Sequence, residues 1–242
     1  MFKKLIINGD DLGMTPGVTW GIFMAHEQGI LTSTTAMMNM PYVEKSLNKA
    51  ADYPKLGLGV HLNVTAGAPL TGGKTFITDD GTFKKPGMYE GGVVNADPEE
   101  IRAEWTAQIE RFIAITGHKP DHLDSHHHIH NIPAYHDIIR DLCARYDVPL
   151  RQSDKLLEDK PYVRLELRYK AEELSYKTME RLCDHADELG EIMFHPAFID
   201  KALCDCSSYN TPRMLEQAFL ISDEAKRFIE DYGITLTTYA DI

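Results

Sequence analysis

Short β-like runs alternate with helix-length segments along almost the whole chain, and this rhythm restricts the fold more than any other feature. KLIIN (4–8) precedes a helical stretch from about Pro16 to Gln28, and TSTTAMM (32–38) precedes one from about Tyr42 to Tyr53. LGLGVHLNV (56–64) comes next, then a glycine-rich excursion through residue 92, then a long helix that opens at ADPEEI and runs to Thr116. Asp97 is placed to cap that helix, with Pro98 at its first position and Glu99 and Glu100 near its positive end. A histidine-rich strand is expected at 122–130, a helix at 134–146, and a new unit beginning at VPLRQ (148–152). A helix near 171–189, the strand EIMFH (191–195), a helix near 222–232 and the strand ITLTT (234–238) complete the series. A helix between successive strands brings the chain back to run in the same direction, so repeated βα units imply a parallel sheet. About seven such units favour closure into a distorted, TIM-like (β/α) barrel over a small open sheet. No linker or charge block divides residues 1–242, so a single domain is expected.

A chain of 242 residues with 43% hydrophobic composition can bury a sizeable core without disulfides. Cys143, Cys183, Cys204 and Cys206 form no dense framework, which suits a reducing compartment. The Cys204-x-Cys206 pair is a weak metal hint beside the plainer reading of two free thiols. A net charge of −12 makes nucleic acid and anionic membrane surfaces poor partners. The start MFKKLIINGDD has too short an apolar run for a secretory signal, and no stretch approaches a membrane span, so a cytoplasmic location is expected.

In a parallel βα fold the chemistry gathers where strands end. HLDSHHHIHN (122–131) concentrates five histidines. If extended, it turns His122, Asp124, His126, His128 and His130 to one face, and Leu123, Ser125, His127 and Ile129 to the other. A solvent-facing strand has no need for a face of imidazole and carboxylate. His26, His118 and His185 stand alone and carry no such signal. NGDDLG (8–13) ends the first strand with adjacent carboxylates, one able to bind a cation and the other to hold a proton. In LGLGVHLNV the apolar residues share one face, leaving His61 on the interior side. Pro196 biases His195 towards an extended backbone at another strand terminus. Two imidazoles and a carboxylate leave coordination positions open, as in a catalytic rather than a structural metal site. The constellation points to metal-assisted hydrolysis.

NGDDLG, STTAMMN, GVHLNVT, HLDSHHHIHNIP and FHPAFID resemble, in order and spacing, the YdjC-like carbohydrate deacetylases, a family that includes chitooligosaccharide deacetylases. Gly9 and Leu12 depart from the Ala and Phe frequent in that family, without loss of a functional group. The resemblance implies a seven-stranded (β/α) barrel and a divalent-metal-dependent hydrolase that removes acetyl groups from N-acetylated sugars, diacetylchitobiose being the leading substrate. It implies Asp11, His61 and His126 as metal ligands and Asp10 as general base. His195 is the candidate acid for the leaving amine. Asp124 and His128 are candidates for orienting these groups, and Arg151, at the end of VPL, for holding Asp10 or substrate. Mg2+ is implied by the resemblance, whereas two imidazoles with a carboxylate suit Zn2+ or another transition ion.

The same donor set also describes a non-haem Fe(II) oxygenase, and a sugar-binding or regulatory barrel would keep the metal without catalysis. Asp10 beside Asp11 is better explained by hydrolysis. In the excursion 65–92, Phe76, Phe83 and Tyr89 either stack on sugar faces or pin the loop, while Trp20 and Trp105 read as packing residues. A homodimer is a further possibility for a barrel of this size.

Overall fold

The computed structural model describes residues 1–151 and 155–242. Among the described residues there are seven strands: β1 (Lys4–Leu12), β2 (Ser33–Ala36), β3 (Gly57–Leu62), β4 (Leu123–Ser125), β5 (Arg164–Glu166), β6 (Leu189–Phe194) and β7 (Thr235–Leu236). They pair in parallel in the order β4-β3-β2-β1-β6-β5, and β7 lies against the first residues of β1, with Lys4 opposite Thr235. β1 is central, and its residues Leu5 to Leu12 are all buried, as a strand covered on both faces requires.

The sheet is strongly curled. In a flat sheet β4 and β6, four inter-strand steps apart, would be separated by roughly 19 Å. Yet the guanidinium of Arg151 lies 2.6 Å from Asp124 on β4 and 2.7 Å from Glu191 on β6. A bridge from Leu123 to Leu150 carries the sheet one step beyond β4. Among the described residues no pairing joins that segment to β5, so the fold is a curled parallel α/β sheet without demonstrated closure.

Helices α1 (Pro16–Gln28), α2 (Val43–Ala50), α3 (Pro98–Thr116), α4 (His136–Tyr146), α5 (Tyr176–Cys183), α6 (Lys201–Cys206), α7 (Thr211–Leu220) and α8 (Asp223–Asp231) accompany the strands. α3 begins as the sequence predicts, with the Asp97 carboxylate accepting from the amides of Glu99 and Glu100. It ends where Gly117 adopts a left-handed φ of 78°, closing the last turn through its amide to Ile113. One contiguous apolar cluster runs from Phe2 to Ile234, and a small one joins Ile6, Val163 and Tyr239. Trp105 is wholly buried, as expected, whereas Trp20 is 45% exposed and rests edge-on against Phe23.

The excursion after β3 is fastened down. Phe76, Phe83 and Tyr89 are buried, so they pin the loop instead of presenting free faces to a sugar. Glu104 of α3 accepts from the amides of Leu70 and Thr71, and Glu100 from those of Lys74 and Thr75.

Several elements differ from expectation. The strand at 122–130 shortens to Leu123–Ser125, because His127 and His128 take left-handed φ values of 55° and 54° and a 3-10 turn spans His126–Asn131. VPLRQ contributes one bridge, and its last residue, Gln152, lies outside the described residues. The helix expected over 171–189 reduces to α5, capped by Ser175, after a single 3-10 turn at Ala171–Glu173. β5, α6 and α7 were not foreseen.

Candidate active site

Adjacent residues of a regular strand point to opposite faces, so Asp10 and Asp11 would ordinarily be separated. A register shift between Gly9 and Leu12 and a left-handed φ of 72° at Asp11 turn both carboxylates into the same interior. His61 arrives from β3, paired in register with Asp124 of β4. His126 follows β4 at the turn that breaks the strand.

These groups converge on one point. Asp11 Oδ1 lies 3.4 Å from His61 Nε2 and 3.1 Å from His126 Nδ1. It is buried and accepts no hydrogen bond, while Oδ2 accepts from Arg213 Nη2 at 2.6 Å. The three donor atoms lie within 4.8 Å of one another. An unpartnered carboxylate oxygen facing two imidazole nitrogens fits a divalent cation, and the nitrogen-rich set suits a transition ion.

Around this point the charges are organised. His61 Nδ1 lies 2.7 Å from Asp124 Oδ1, a pairing that directs Nε2 to the cation position. Burial opposes a proton on His61, but Asp124 and Asp10 outweigh it and raise its pKa to about 10. A cation entering the site therefore displaces a proton. Arg151 is fully buried and grips Asp10 with two nitrogens, at 2.8 and 2.7 Å. Burial works against a charged Asp10, yet Arg151 and His61 hold its carboxyl below the usual range. Asn8 donates to Asp10 Oδ1 at 2.9 Å, and Thr35 donates to Asp124 Oδ2 at 3.0 Å. Asp11, opposed by burial and stabilised by Arg213 and His126, titrates well below its ordinary value.

His195 follows the last residue of β6. The register of Gly9 with Phe194 brings it level with Asp10. Its side chain is 22% exposed, its backbone N–H donates to Glu216 Oε2 at 2.5 Å, and its ring meets Tyr209 at 5.4 Å. Burial lowers its pKa against the pull of Asp11 and Asp10.

The structure thus brings together Asp10, Asp11, His61, His126, Asp124 and Arg151, and places His195 at the adjoining strand end. It does not bring the whole histidine run to one face. His128 has a left-handed backbone and is not among the grouped cation ligands, its ring 6.3 Å from that of His130 and its Nδ1 unpartnered. His130 is hydrogen-bonded to Ser125 Oγ at 2.6 Å, and His127 to Thr65 Oγ1 at 2.9 Å. His122 is buried flat against Tyr239 at 4.0 Å, and burial pushes its pKa down to about 3. Cys204 and Cys206 are free and exposed, and the metal-competent groups found among the described residues exclude them.

Four polar residues escaped the sequence reading: Glu191, Tyr209, Arg213 and Glu216. Glu191 had a detectable signal, since it shares strand parity with His195; it accepts from Arg151 Nε at 2.8 Å. Tyr209, Arg213 and Glu216 come from the unforeseen α7 and the residue pair before it, and no local pattern ties them to strand ends.

A curled parallel α/β sheet with an Asp-His-His cation site and a second, arginine-held aspartate defines a protein of the metal-assisted hydrolase type. The YdjC-like protein family matches residues 4–231, and the chain belongs to that family. A carbohydrate deacetylase of Brevibacillus brevis is 36% identical over 250 residues, covering 99% of both chains. A chitooligosaccharide deacetylase of Yersinia pseudotuberculosis is 36% identical over 253 residues, covering both chains completely. A crystal structure of a proposed cellobiose-phosphate cleavage protein from Enterococcus faecalis superposes with a TM-score of 0.88 at 35% identity, covering 100% of this chain and 99% of the other.

Proposed function

We propose that this chain is a divalent-metal-dependent carbohydrate deacetylase that hydrolyses the N-acetyl group of N-acetylglucosamine-containing oligosaccharides such as diacetylchitobiose. The observation that carries the reading is the convergence of Asp11 Oδ1, His61 Nε2 and His126 Nδ1 beside an Asp10 held ionised by Arg151. Asp11, His61 and His126 hold the cation, which is Mg2+ by family resemblance and Zn2+ or another transition ion by donor chemistry. The chemistry a bound divalent cation supplies is polarisation of the acetyl carbonyl and acidification of the attacking water.

Asp10 accepts the proton that water loses as its oxygen bonds to the acetyl carbon. Arg151 keeps Asp10 ionised and aimed, and Asp124 keeps His61 in the tautomer that offers Nε2. His195 delivers a proton to the departing sugar amine as the C–N bond breaks, leaving acetate and free amine. His128, lacking a partner on Nδ1, is left as a substrate-contact candidate. The seven strands are read as a distorted (β/α) barrel in a single domain, residues 1–242. Four free cysteines fit a cytoplasmic setting. No helix among the described residues is long and apolar enough to cross a membrane.

The test is acetate release from diacetylchitobiose followed by NMR. Metal-stripped protein is reconstituted separately with Mg2+, Zn2+, Mn2+ or Co2+, beside His126→Ala. Release that requires a divalent ion and disappears in the variant is expected. Ion-independent release, or full activity in the variant, would refute this assignment.

A further inference from the structure

Asp11 is held from two sides. Oδ1 faces the histidines without a hydrogen bond, and Oδ2 is taken by Arg213. Arg213 is itself held: it is 3% exposed, its Nε donates to the Tyr209 carbonyl at 2.9 Å, and its Nη2 rests 3.9 Å from Met14 Sδ. One helical turn further along α7, Glu216 accepts from the amide of His195 and from the Tyr209 hydroxyl. The guanidinium is therefore anchored by the segment that leads into its own helix, and that helix is anchored to the β6 end of the site.

We propose that Arg213 is a positioning residue that restricts Asp11 to single-oxygen coordination through Oδ1, keeping a cation coordination position open for substrate and water. The inference rests on the assignment of Asp11 as a ligand. A carboxylate with both oxygens free can chelate a divalent ion, and a short contact from a buried guanidinium to Oδ2 removes that option. The electrostatic effect runs the other way. A fixed positive charge beside a cation site weakens cation binding, the more so where water is excluded. Arg213 is thus expected to favour an open geometry at the expense of affinity. A purely structural role predicts something different, because its loss would loosen the site and lower affinity and turnover together.

The experiment titrates metal-stripped protein with Co2+ and follows visible absorption. Wild type, Arg213→Gln, Arg213→Lys and Asp11→Asn are compared, with urea unfolding and acetate release measured on each. Arg213→Gln is expected to bind Co2+ at least as tightly as wild type. Its ligand-field bands should weaken, as they do when coordination number rises, and turnover should fall roughly 10- to 100-fold. Arg213→Lys, which keeps a cation near Oδ2, should retain wild-type band intensity, and it carries the test should the glutamine variant not fold. Weaker Co2+ binding with unchanged bands in Arg213→Gln, or weakened bands in Arg213→Lys, would overturn the proposal alone. Wild-type Co2+ affinity and spectrum in Asp11→Asn would overturn the ligand assignment beneath it.

Discussion

Arg151 and Arg213 reach the same Asp10–Asp11 dipeptide, and they do so in different electrostatic settings. Arg151, from the segment after α4, lies within 2.6 to 2.8 Å of oxygens on Asp10, Asp124 and Glu191. One guanidinium there faces three carboxylates from three different strands. The surplus is eased at Glu191, whose pKa burial raises against the pull of Arg151 and which accepts from Tyr239 at 2.5 Å. Arg213 meets a single carboxylate, and only one oxygen of it. The first arginine is a hub that bridges β4 and β6 across the curled sheet and favours the ionised form of Asp10. The second acts on one ligand of the cation. Buried charge of the same type can therefore serve architecture in one half of a site and coordination geometry in the other.

The sharpest way to separate the halves is to neutralise each aspartate in turn. Asp10→Asn should lower kcat by about 10²–10⁴-fold, up to roughly 5 kcal/mol of barrier, while leaving Co2+ affinity near wild type. Asp11→Asn should lose both. Equal Co2+ affinities for the two variants, measured by calorimetry, would erase the distinction.

Next in size is the hub. Arg151→Met leaves three buried carboxylates without their cation and should destabilise the fold by about 3–5 kcal/mol in urea unfolding. Arg213→Gln, which orphans one carboxylate oxygen that a metal can offset, should cost clearly less when Co2+ is present. A stability loss for Arg213→Gln as large as that for Arg151→Met would make both arginines structural.

His195→Gln should reduce turnover by about 10²-fold, roughly 2.7 kcal/mol, with little change in KM or Co2+ affinity, as the acid role proposed for it requires. The effect should shrink for acetylated substrates whose leaving group needs no proton, and a uniform loss across such substrates would argue against an acid role.

The smallest effect concerns histidines that lie outside the cation site. Burial pushes His122 and His130 down to about 3 from an ordinary value of 6.5. Between those limits the unfolded chain binds protons that the native chain does not. Stability is therefore complete above about pH 6.5 and declines as pH falls towards 3, at about 1.4 kcal/mol per pH unit for each such histidine. His122→Phe, measured by urea unfolding between pH 6.5 and 4.5, should flatten the slope by one proton's share. An unchanged slope would mean that His122 titrates normally in the fold.

Much of this site was legible in the sequence because parallel βα folds deliver strand ends to one place. His61 and Asp124 obey the period of two and meet in register. His126 is reached by a different route from the one its spacing suggests. The strand stops at Ser125, and the left-handed residues that follow, not alternation, decide which rings enter the site. That break leaves His128 outside the Asp11–His61–His126 set, while His122, of the same parity as Asp124, stacks on Tyr239. Asp10 and Asp11 also violate simple alternation, and a bulge with a left-handed Asp11 resolves the conflict.

The βα rhythm of the first half of the chain, the capped start of α3, the four motif-bearing strand ends and the carboxylate–imidazole character of the site follow from sequence alone, because each is set by residues close together in the chain. The degree of curl, the three-carboxylate hub at Arg151 and the grip of Arg213 on Asp11 were decided only by tertiary structure. They depend on side chains separated in sequence by 27 to more than 200 residues, and nothing in local periodicity encodes a meeting at that range. Removing buried charge from water forces such partners together, and the fold chooses which ones are within reach.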